Sequence, residues 1–318
     1  MKIRLLVTLI VLSLSICKSM AIASTERLKT KNKSSQHIVC RSDLVMNSIK
    51  SKGTNRILVA AHRGAHNTQP ENSLPSIDKA IDLGVDIIEL DVRLSADGIP
   101  VLMHDKSVNR TTNGTGLISN KSLAEIRKLR LLFDGKPTAH HVPTLAEVLV
   151  QAKDRIIVNI DIKAEDILAI SKVVEEAQAF SYTMFFNDDL ALLSKLRTIR
   201  PDTVIMPLAS NDKEARFIAS KFDIEIVHLK ENYISSGLSI FLDDNNSAGW
   251  VNALGKIDSF LKDGSLTASD HFIDARVDVI QTDRPEELLA ILSNKSLRPN
   301  YAGLNRTQPC GLVIAKEP

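Results

Sequence analysis

The sequence predicts an α/β fold, a (β/α)₈ barrel that carries one long insertion. From Arg56 onward, short strand-like apolar runs alternate with helical patterns, which is typical of βαβ units around a parallel sheet. About eight strand candidates fall in this region and favour a closed barrel over an open doubly wound sheet. Residues 106–143 interrupt the alternation after the third strand-like run. This segment is too long for an ordinary strand-to-helix connection, so we expect it to be functional.

The predicted elements follow one another in a regular order. Strands are expected at residues 57–61, 85–94, 100–103, 155–163, 182–186, 203–208, 224–229, 249–253 and 277–282. Helices are expected at residues 73–83, 145–151, 164–179, 190–199, 212–220, 256–262 and 285–292. The polar residues 24–55 are interpreted as a leader, and residues 56–318 as the barrel.

The composition and the first residues limit the classes to which the protein can belong. The chain is 44% hydrophobic and 25% charged, and its net charge of +2 gives no case for a nucleic acid partner or an anionic membrane surface. Residues 1–23 have the order of a secretory signal peptide, with basic residues, an apolar run too short to span a bilayer, and small residues up to Ala23. Cleavage after Ala23 predicts a secreted or periplasmic protein without stable membrane insertion. A lipoprotein site at Cys17 ranks lower because Ile16 is bulky, and an uncleaved anchor is the third alternative.

Two cysteines remain after such cleavage, Cys40 and Cys310, near the two ends of the mature chain. In an oxidising compartment they could form a disulfide, since chain termini often lie close together in compact domains. Two separate thiols are an equal alternative. The spacing of the cysteines does not indicate zinc or redox chemistry.

Carboxylates share one face of two predicted strands. Glu89 and Asp91 are two residues apart, and so are Asn159, Asp161 and Lys163 further along the chain, so each set points to one side of its strand. In a barrel both sets would face the mouth, where three carboxylates repel one another unless a cation lies between them. An all-oxygen ligand set suits Mg²⁺ or Ca²⁺ rather than zinc. For each strand taken alone, the alternative to a metal site is a charged strand end whose carboxylates face solvent.

Two histidines end strand-like runs at the same predicted rim. His62 and His104 could serve as general base and general acid, because an unperturbed imidazole titrates near neutral pH. The planar guanidinium of Arg63 suits the oxygens of a phosphate. For each histidine taken alone, the alternative is a structural role in hydrogen bonding. For Arg63, the alternative is an ion pair at the surface. His66 is interpreted as a surface or loop residue, and Asp283 as a helix cap with a contribution to the mouth as its alternative.

Several motifs in fixed order resemble the glycerophosphodiester phosphodiesterase family. They are His62-Arg63-Gly64, Pro70-Glu71-Asn72-Ser73, Glu89-Leu90-Asp91, the run from Pro100-Val101 to His104-Asp105, Arg110-Thr111-Thr112-Asn113-Gly114-Thr115-Gly116, and Thr282-Asp283-Arg284-Pro285. The resemblance spans roughly residues 57–293 and is densest in the first half. It implies a TIM-type barrel with a small inserted subdomain, and a divalent cation, usually Ca²⁺ or Mg²⁺. It also implies hydrolysis of a small-molecule glycerophosphodiester to glycerol 3-phosphate and an alcohol.

The resemblance also implies site residues by position. The metal ligands fall on Glu89, Asp91 and Asp161, the catalytic histidines on His62 and His104, and the phosphate- or substrate-binding residues on Arg63, Lys163 and Trp250. A tryptophan packed in the core is the alternative for Trp250. The family usually has Glu at the position of Asp161 and Gly at that of Gln281, but neither difference removes a chemical function. An active enzyme is therefore expected.

Two other functions compete with this prediction. A phospholipase D-like enzyme acting on lysophospholipid or sphingolipid would share the two-histidine site, but it should expose an apolar patch at the mouth. The insertion supplies the apolar residues 131–133 for such a patch but little else, which favours a soluble head-group substrate. A non-catalytic binding module should lack a ligand or a histidine of the motif, and none is missing.

Overall fold

Eight parallel strands form a closed barrel in the computed structural model, which describes residues 36–50, 56–262, 269–301, 304 and 309–314. The strands are β1 (Leu58–His62), β2 (Ile87–Leu94), β3 (Ile157–Ile162), β4 (Thr183–Asn187), β5 (Val204–Pro207), β6 (Ile226–Leu229), β7 (Ala248–Asn252) and β8 (Val279–Thr282). Except for β5 and β6, each strand pairs with the next in the chain, and β8 pairs with β1. A parallel bridge between Leu208 and His228 closes the remaining gap between β5 and β6. The predicted barrel is confirmed.

Helices connect the strands and cover the outside of the barrel. They are α1 (Leu74–Leu83), α2 (Leu145–Ala152), α3 (Ile167–Glu176), α4 (Leu190–Ile199), α5 (Asp212–Lys221), α6 (Ser236–Asp244), α7 (Lys256–Lys262) and α8 (Pro285–Asn294). A short helix, Asp270–Asp274, follows α7. Among the described residues, no helix combines the length and apolar character needed to cross a bilayer.

The sequence analysis did not predict helix α6. Its sequence opens with Ser236-Gly237, and glycine is a poor helix former, so the local signal is weak. The helix nevertheless forms because the side chain of Ser235 accepts a hydrogen bond from the amide of Leu238 and caps its first turn. Leu238 and Leu242 are fully buried against the barrel. Tertiary packing therefore decides the structure here.

The strand predicted at residues 100–103 does not belong to the parallel barrel. Pro100–Leu102 instead pairs antiparallel with the end of β2, after a turn. The insertion follows this strand and contains the short helix Leu123–Ile126 and a small hairpin of Leu132–Phe133 with Lys136–Pro137. It has its own core, whose buried residues are Val101, Met103, Val108, Ile118, Ile126, Leu131 and Val142. Residues 106–143 are thus a small folded unit.

Part of the segment interpreted as a leader is folded. Arg41–Lys50 forms a helix whose buried Val45, Met46 and Ile49 belong to the barrel core, so this core begins before residue 56. A disulfide joins Cys40 to Cys310, the first of the two alternatives for these cysteines. Gln36–Cys40 and Cys310–Ile314 form a separate two-stranded sheet. The predicted signal peptide, residues 1–23, lies outside the described residues.

A buried ion-pair network lies at the amino-terminal end of β2. The Asp86 carboxylate is fully buried and accepts hydrogen bonds from Arg41 (3.0 Å), Arg298 (2.9 Å), the Tyr301 hydroxyl (2.6 Å) and the Val59 amide (2.8 Å). Burial alone would raise the pKa of Asp86, but the charges of Arg298 and Arg41 hold it below its ordinary value. The network ties the first helix and the C-terminal segment to the bottom of the barrel.

Replacing Asp86 by asparagine is expected to lower the free energy of unfolding by about 3–5 kcal/mol, because two buried guanidinium groups lose their counter-charge. Urea unfolding of the disulfide-bonded protein measures this difference. Asp78→Asn is the matched control. Asp78 is mostly exposed and lies 3.8 Å from Arg155, so its loss should change the stability by less than about 1 kcal/mol. Equal stabilities of the two variants would contradict the importance of the buried network.

Candidate active site

A pocket of about 310 Å³ lies at the carboxyl ends of the barrel strands. All eight strands contribute to its lining, either within the strand or just beyond its end. The lining residues are His62, Arg63, Glu89, Asp91, His104, Asn159, Asp161, Lys163, Phe186, Met206, His228, Asn252, Leu254 and Gln281. Of the site residues that the sequence predicts, all except Trp250 are among them.

Three buried carboxylates meet on the β2–β3 side of this pocket. Asp91 and Asp161 are direct partners in the register of the two strands, and oxygens of Glu89, Asp91 and Asp161 lie within 4.8 Å of one another. Burial raises the pKa of Glu89 well above its ordinary value, and the charges of Asp91 and Asp161 raise it further. Burial also raises the pKa of Asp161 to about 6, against the lowering effect of Lys163. The cluster is therefore electrostatically unfavourable without a cation.

Asn159 adds an uncharged group to the same side. It pairs with Glu89 in the strand register and is 1% exposed, yet neither its Oδ1 nor its Nδ2 has a hydrogen-bond partner among the described residues. A buried amide without a partner costs about 1–3 kcal/mol, which a ligand could offset. Three carboxylates and one amide oxygen are the donors that Mg²⁺ or Ca²⁺ prefers, so these residues fit a divalent cation.

Two cationic side chains flank the carboxylates. The Lys163 ammonium lies 2.7 Å from Asp161 Oδ2 and 3.5 Å from Asp91 Oδ1. The Arg63 guanidinium lies on the other side of Asp91, with Nε 3.2 Å from Oδ2. Both cations also line the open pocket, so they can reach an anionic ligand there.

The turn between β1 and α1 has an unusual backbone that orients this site. Arg63 and Asn72 have positive φ angles of 54° and 51°, a sparsely populated conformation that is common near functional sites. Asn72 Nδ2 donates to Asp91 Oδ2 (2.8 Å), while its Oδ1 accepts from the Asp91 amide (3.1 Å). Ser73, by contrast, caps helix α1. Asn72 thus fixes a carboxylate of the site.

Each of the two predicted catalytic histidines is held by a carboxylate. His62 Nδ1 lies 2.7 Å from Asp283 Oδ1, and His104 Nδ1 lies 2.8 Å from Asp105 Oδ1. In both cases the carboxylate orients the ring and leaves Nε2 available. His66 Nε2 also contacts Asp283 Oδ1, at 2.9 Å. The sequence interpretations of His66 as a loop residue and of Asp283 as a helix cap therefore missed this cluster.

The insertion reaches the site through Arg110. Its guanidinium donates to Asp105 Oδ2 (2.9 Å) and to Glu71 Oε2 (2.6 Å), and so joins the partner of His104 to the turn after β1. Hydrogen bonds from Arg110 hold the pKa of Asp105 well below its ordinary value. Asp105 therefore stays ionised and keeps the ring of His104 in place.

Trp250, predicted as a substrate-binding residue, is fully buried and belongs to the core. This outcome corrects the prediction in favour of its alternative. Trp250 and Asn252 are two positions apart and share a face of β7, but Trp250 lies deeper in the barrel, and only Asn252 lines the pocket. The indole Nε1 donates to Asn252 Oδ1 at 3.0 Å and thereby orients this amide.

The fold and the site together define a (β/α)₈-barrel protein whose mouth combines an acidic cluster with two oriented histidines. Residues 62–232 match the model of the glycerophosphoryl diester phosphodiesterase family. This match covers more than half of the chain, and the protein belongs to that family. The resemblance found in the sequence is thereby confirmed.

Individual relatives support the same assignment. The chain is 44% identical over 117 residues to the glycerophosphodiester phosphodiesterase of Caldanaerobacter subterraneus, an alignment that covers 36% of this chain and 48% of the relative. The matched part thus spans about half the length of that curated relative. The glycerophosphodiester phosphodiesterase of Agrobacterium tumefaciens is 26% identical in sequence to this chain. Its crystal structure matches with a TM-score of 0.64, over 74% of this chain and 99% of the other. A glycerophosphoryl diester phosphodiesterase structure from Parabacteroides distasonis, 22% identical, has a TM-score of 0.72 over 87% of this chain and 99% of the other and shows the shared fold.

Proposed function

We propose that the protein is a divalent-cation-dependent phosphodiesterase that hydrolyses glycerophosphodiesters to glycerol 3-phosphate and an alcohol. The observation that carries this proposal is the convergence, in one pocket, of three buried carboxylates and two histidines that are each oriented by a further carboxylate. Family membership and the names of the relatives support the same activity.

Glu89, Asp91 and Asp161 are the residues that would hold the cation, with Asn159 as a neighbouring neutral donor. The all-oxygen donor set supports Ca²⁺ or Mg²⁺. When bound, such an ion neutralises charge that builds on the phosphate and acidifies a nearby hydroxyl. Asn72 keeps Asp91 in position, so the cluster is preorganised before any ligand arrives.

Arg63 and Lys163 would bind the phosphate oxygens that point away from the carboxylates. Both cations already lie within 3.5 Å of carboxylate oxygens, so they occupy fixed positions at the edge of the cluster. Charge-assisted hydrogen bonds from fixed donors stabilise the extra charge of a phosphoryl transition state.

His62 and His104 would carry out the proton transfers. With Nδ1 of each ring bound to Asp283 or Asp105, Nε2 can take a proton or give one. One histidine removes the proton from the attacking 2-hydroxyl of the glycerol, and the other protonates the leaving alcohol. Water then opens the cyclic phosphate that this attack forms and yields glycerol 3-phosphate, with the same histidines transferring the protons. The carboxylates stabilise each imidazolium when it forms.

We also propose that the protein works outside the reducing cytosol, as a secreted or periplasmic enzyme. The signal-peptide pattern of residues 1–23 supports this location. The disulfide between Cys40 and Cys310 supports it independently, because such bonds persist in oxidising compartments.

Removal of divalent cations is expected to abolish the activity. The assay measures release of glycerol 3-phosphate from glycerophosphocholine and glycerophosphoethanolamine, before and after chelation, with Ca²⁺ or Mg²⁺ added back. Lysophosphatidylcholine is the comparison substrate. Activity that survives chelation would contradict the role of the cation, and exclusive turnover of the lipid would favour the phospholipase D-like alternative. If the protein hydrolyses none of the diesters, the non-catalytic binding module is the alternative that remains.

A further inference from the structure

The pocket has two chemically different halves. Its β1–β3 side carries the carboxylates, the cations and the proposed catalytic histidines. Strands β4–β7 lie across the barrel from β2, and their part of the lining contains no carboxylate, ammonium or guanidinium. We call this part the neutral wall; it consists of Phe186, Met206, His228, Asn252 and Leu254. The proposed function leaves the neutral wall without a role.

His228 is one of the two polar residues of the neutral wall, with Asn252, and it has an unsatisfied atom. Its Nδ1 is buried and has no hydrogen-bond partner among the described residues. Burial lowers the pKa of His228 to about 4, so the ring is neutral at physiological pH.

The oxygen of Asn252, the other polar side chain of the neutral wall, already has a partner. The indole of Trp250 can only donate, so the Asn252 atom that faces it at 3.0 Å is the oxygen. A ring nitrogen of neutral histidine donates or accepts a hydrogen bond according to its tautomer. Nδ1 of His228 is therefore a buried polar atom that lacks a hydrogen-bond partner among the described residues.

The surroundings of Nδ1 define its ligand. The ring of Phe186 meets that of His228 edge to face, with centroids 4.9 Å apart, and Met206 and Leu254 supply further apolar surface. These groups suit carbon-bound hydrogens, whereas Nδ1 suits a hydroxyl, which can donate or accept a hydrogen bond. We propose that the neutral wall is a polyol subsite in which Nδ1 of His228 forms a hydrogen bond with a substrate hydroxyl. This inference rests on the proposed function, and the hydroxyl belongs either to the glycerol or to the leaving alcohol.

The test compares two substrates and three variants. One substrate is glycerophosphocholine, and the other is its analogue without the terminal glycerol hydroxyl. His228→Phe keeps a planar ring but removes the ring nitrogens, His228→Asn places an amide near the position of Nδ1, and His228→Gln places it near that of Nε2. If the hydroxyl belongs to the glycerol, wild type is expected to lose about tenfold in kcat/KM on the deoxy analogue. His228→Phe and His228→Gln should then lose about tenfold on glycerophosphocholine and no longer distinguish the two substrates, while His228→Asn should recover the preference.

Binding measurements separate the two sources of the hydroxyl. If it belongs to the glycerol, His228→Phe should weaken the binding of glycerol 3-phosphate, measured by calorimetry with Ca²⁺ or Mg²⁺ present. If the hydroxyl belongs to the leaving alcohol, the binding of glycerol 3-phosphate to His228→Phe should match that of wild type. The loss of kcat/KM in His228→Phe should then appear with glycerophosphoglycerol but not with glycerophosphoethanolamine. His140→Phe, at an exposed histidine of the insertion, is the control and should match wild type in every assay. Thermal melting confirms that each variant is folded.

Two outcomes would overturn the inference. The first is the combination, in folded His228→Phe, of an unchanged substrate preference, unchanged product binding and unchanged turnover of glycerophosphoglycerol. The second is full recovery by His228→Gln but not by His228→Asn, which would assign the role to Nε2. Failure of wild type to hydrolyse any diester would contradict the proposed function, whereas the binding of glycerol 3-phosphate to wild type and His228→Phe would still test the subsite.

Discussion

Replacing Glu89 by glutamine is expected to abolish turnover and, in the presence of a chelator, to raise the melting temperature. The two effects have one cause. Glu89, Asp91 and Asp161 bring three like charges together in a buried site, and burial together with the neighbouring charges raises the pKa of Glu89. Glutamine removes one of these charges and keeps the size of the side chain. It also keeps an oxygen for the hydrogen bond from the Arg63 amide, which is 3.1 Å long in the protein.

The expected magnitudes follow from the loss of a charged ligand. A bound cation supplies several kcal/mol of transition-state stabilisation, so activity should fall by about 10³-fold or more. Without cation, each kcal/mol of relieved repulsion should raise the melting temperature by about 2–4 °C. With saturating Ca²⁺ or Mg²⁺ the order should reverse, because the ion stabilises wild type more than the variant.

Melting curves and turnover, each measured with chelator and with added ion, check this prediction. Glu176→Gln is the matched control, since Glu176 is 64% exposed and lies 3.9 Å from Lys172, and it should behave as wild type. A lower melting temperature of Glu89→Gln in chelator would show that the cluster is not strained by its own charge.

Replacing His62 by alanine is expected to reduce kcat by about 10²–10⁴-fold, the usual contribution of a positioned general acid or base. Asp283→Asn should reduce kcat less, because it keeps the imidazole but loses the carboxylate that lies 2.7 Å from Nδ1. Asp283 acts only through His62 in this scheme. The double variant should therefore be no slower than His62→Ala alone.

Steady-state kinetics of the two single variants and the double variant decide between this scheme and a direct role of Asp283. Additive losses would mean that Asp283 acts on the substrate independently of His62. His140→Ala serves as the control for loss of an imidazole, since this residue is exposed on the insertion.

The carboxylate cluster could be predicted because it depends on local geometry. Residues two apart in a strand share a face, and the register pairs Asp91 with Asp161, so the pattern of β2 and β3 was sufficient to bring the three acidic residues together. The barrel could be predicted for a similar reason, since each strand and helix leaves a periodic signal in its own segment.

The supporting contacts could not be predicted in this way. Asp283 contacts His62 across 221 positions of the chain, and only the closure of β8 onto β1 brings the two together. Trp250 and Asn252 share a strand face, so their spacing alone does not show that the indole stays in the core while the amide reaches the mouth. His228 left one signal, as the polar residue of the otherwise apolar strand β6.

The disulfide between Cys40 and Cys310 gives the chain a circular topology. Every barrel strand and the whole insertion lie within the 270 positions that it encloses. A single protease cut within that span leaves two chains that the disulfide still joins into one covalent molecule. Two separate cuts are needed to release a fragment, unless a reductant first opens the bond. For an enzyme proposed to work among extracellular proteases, this connectivity allows a nicked barrel to keep all its parts.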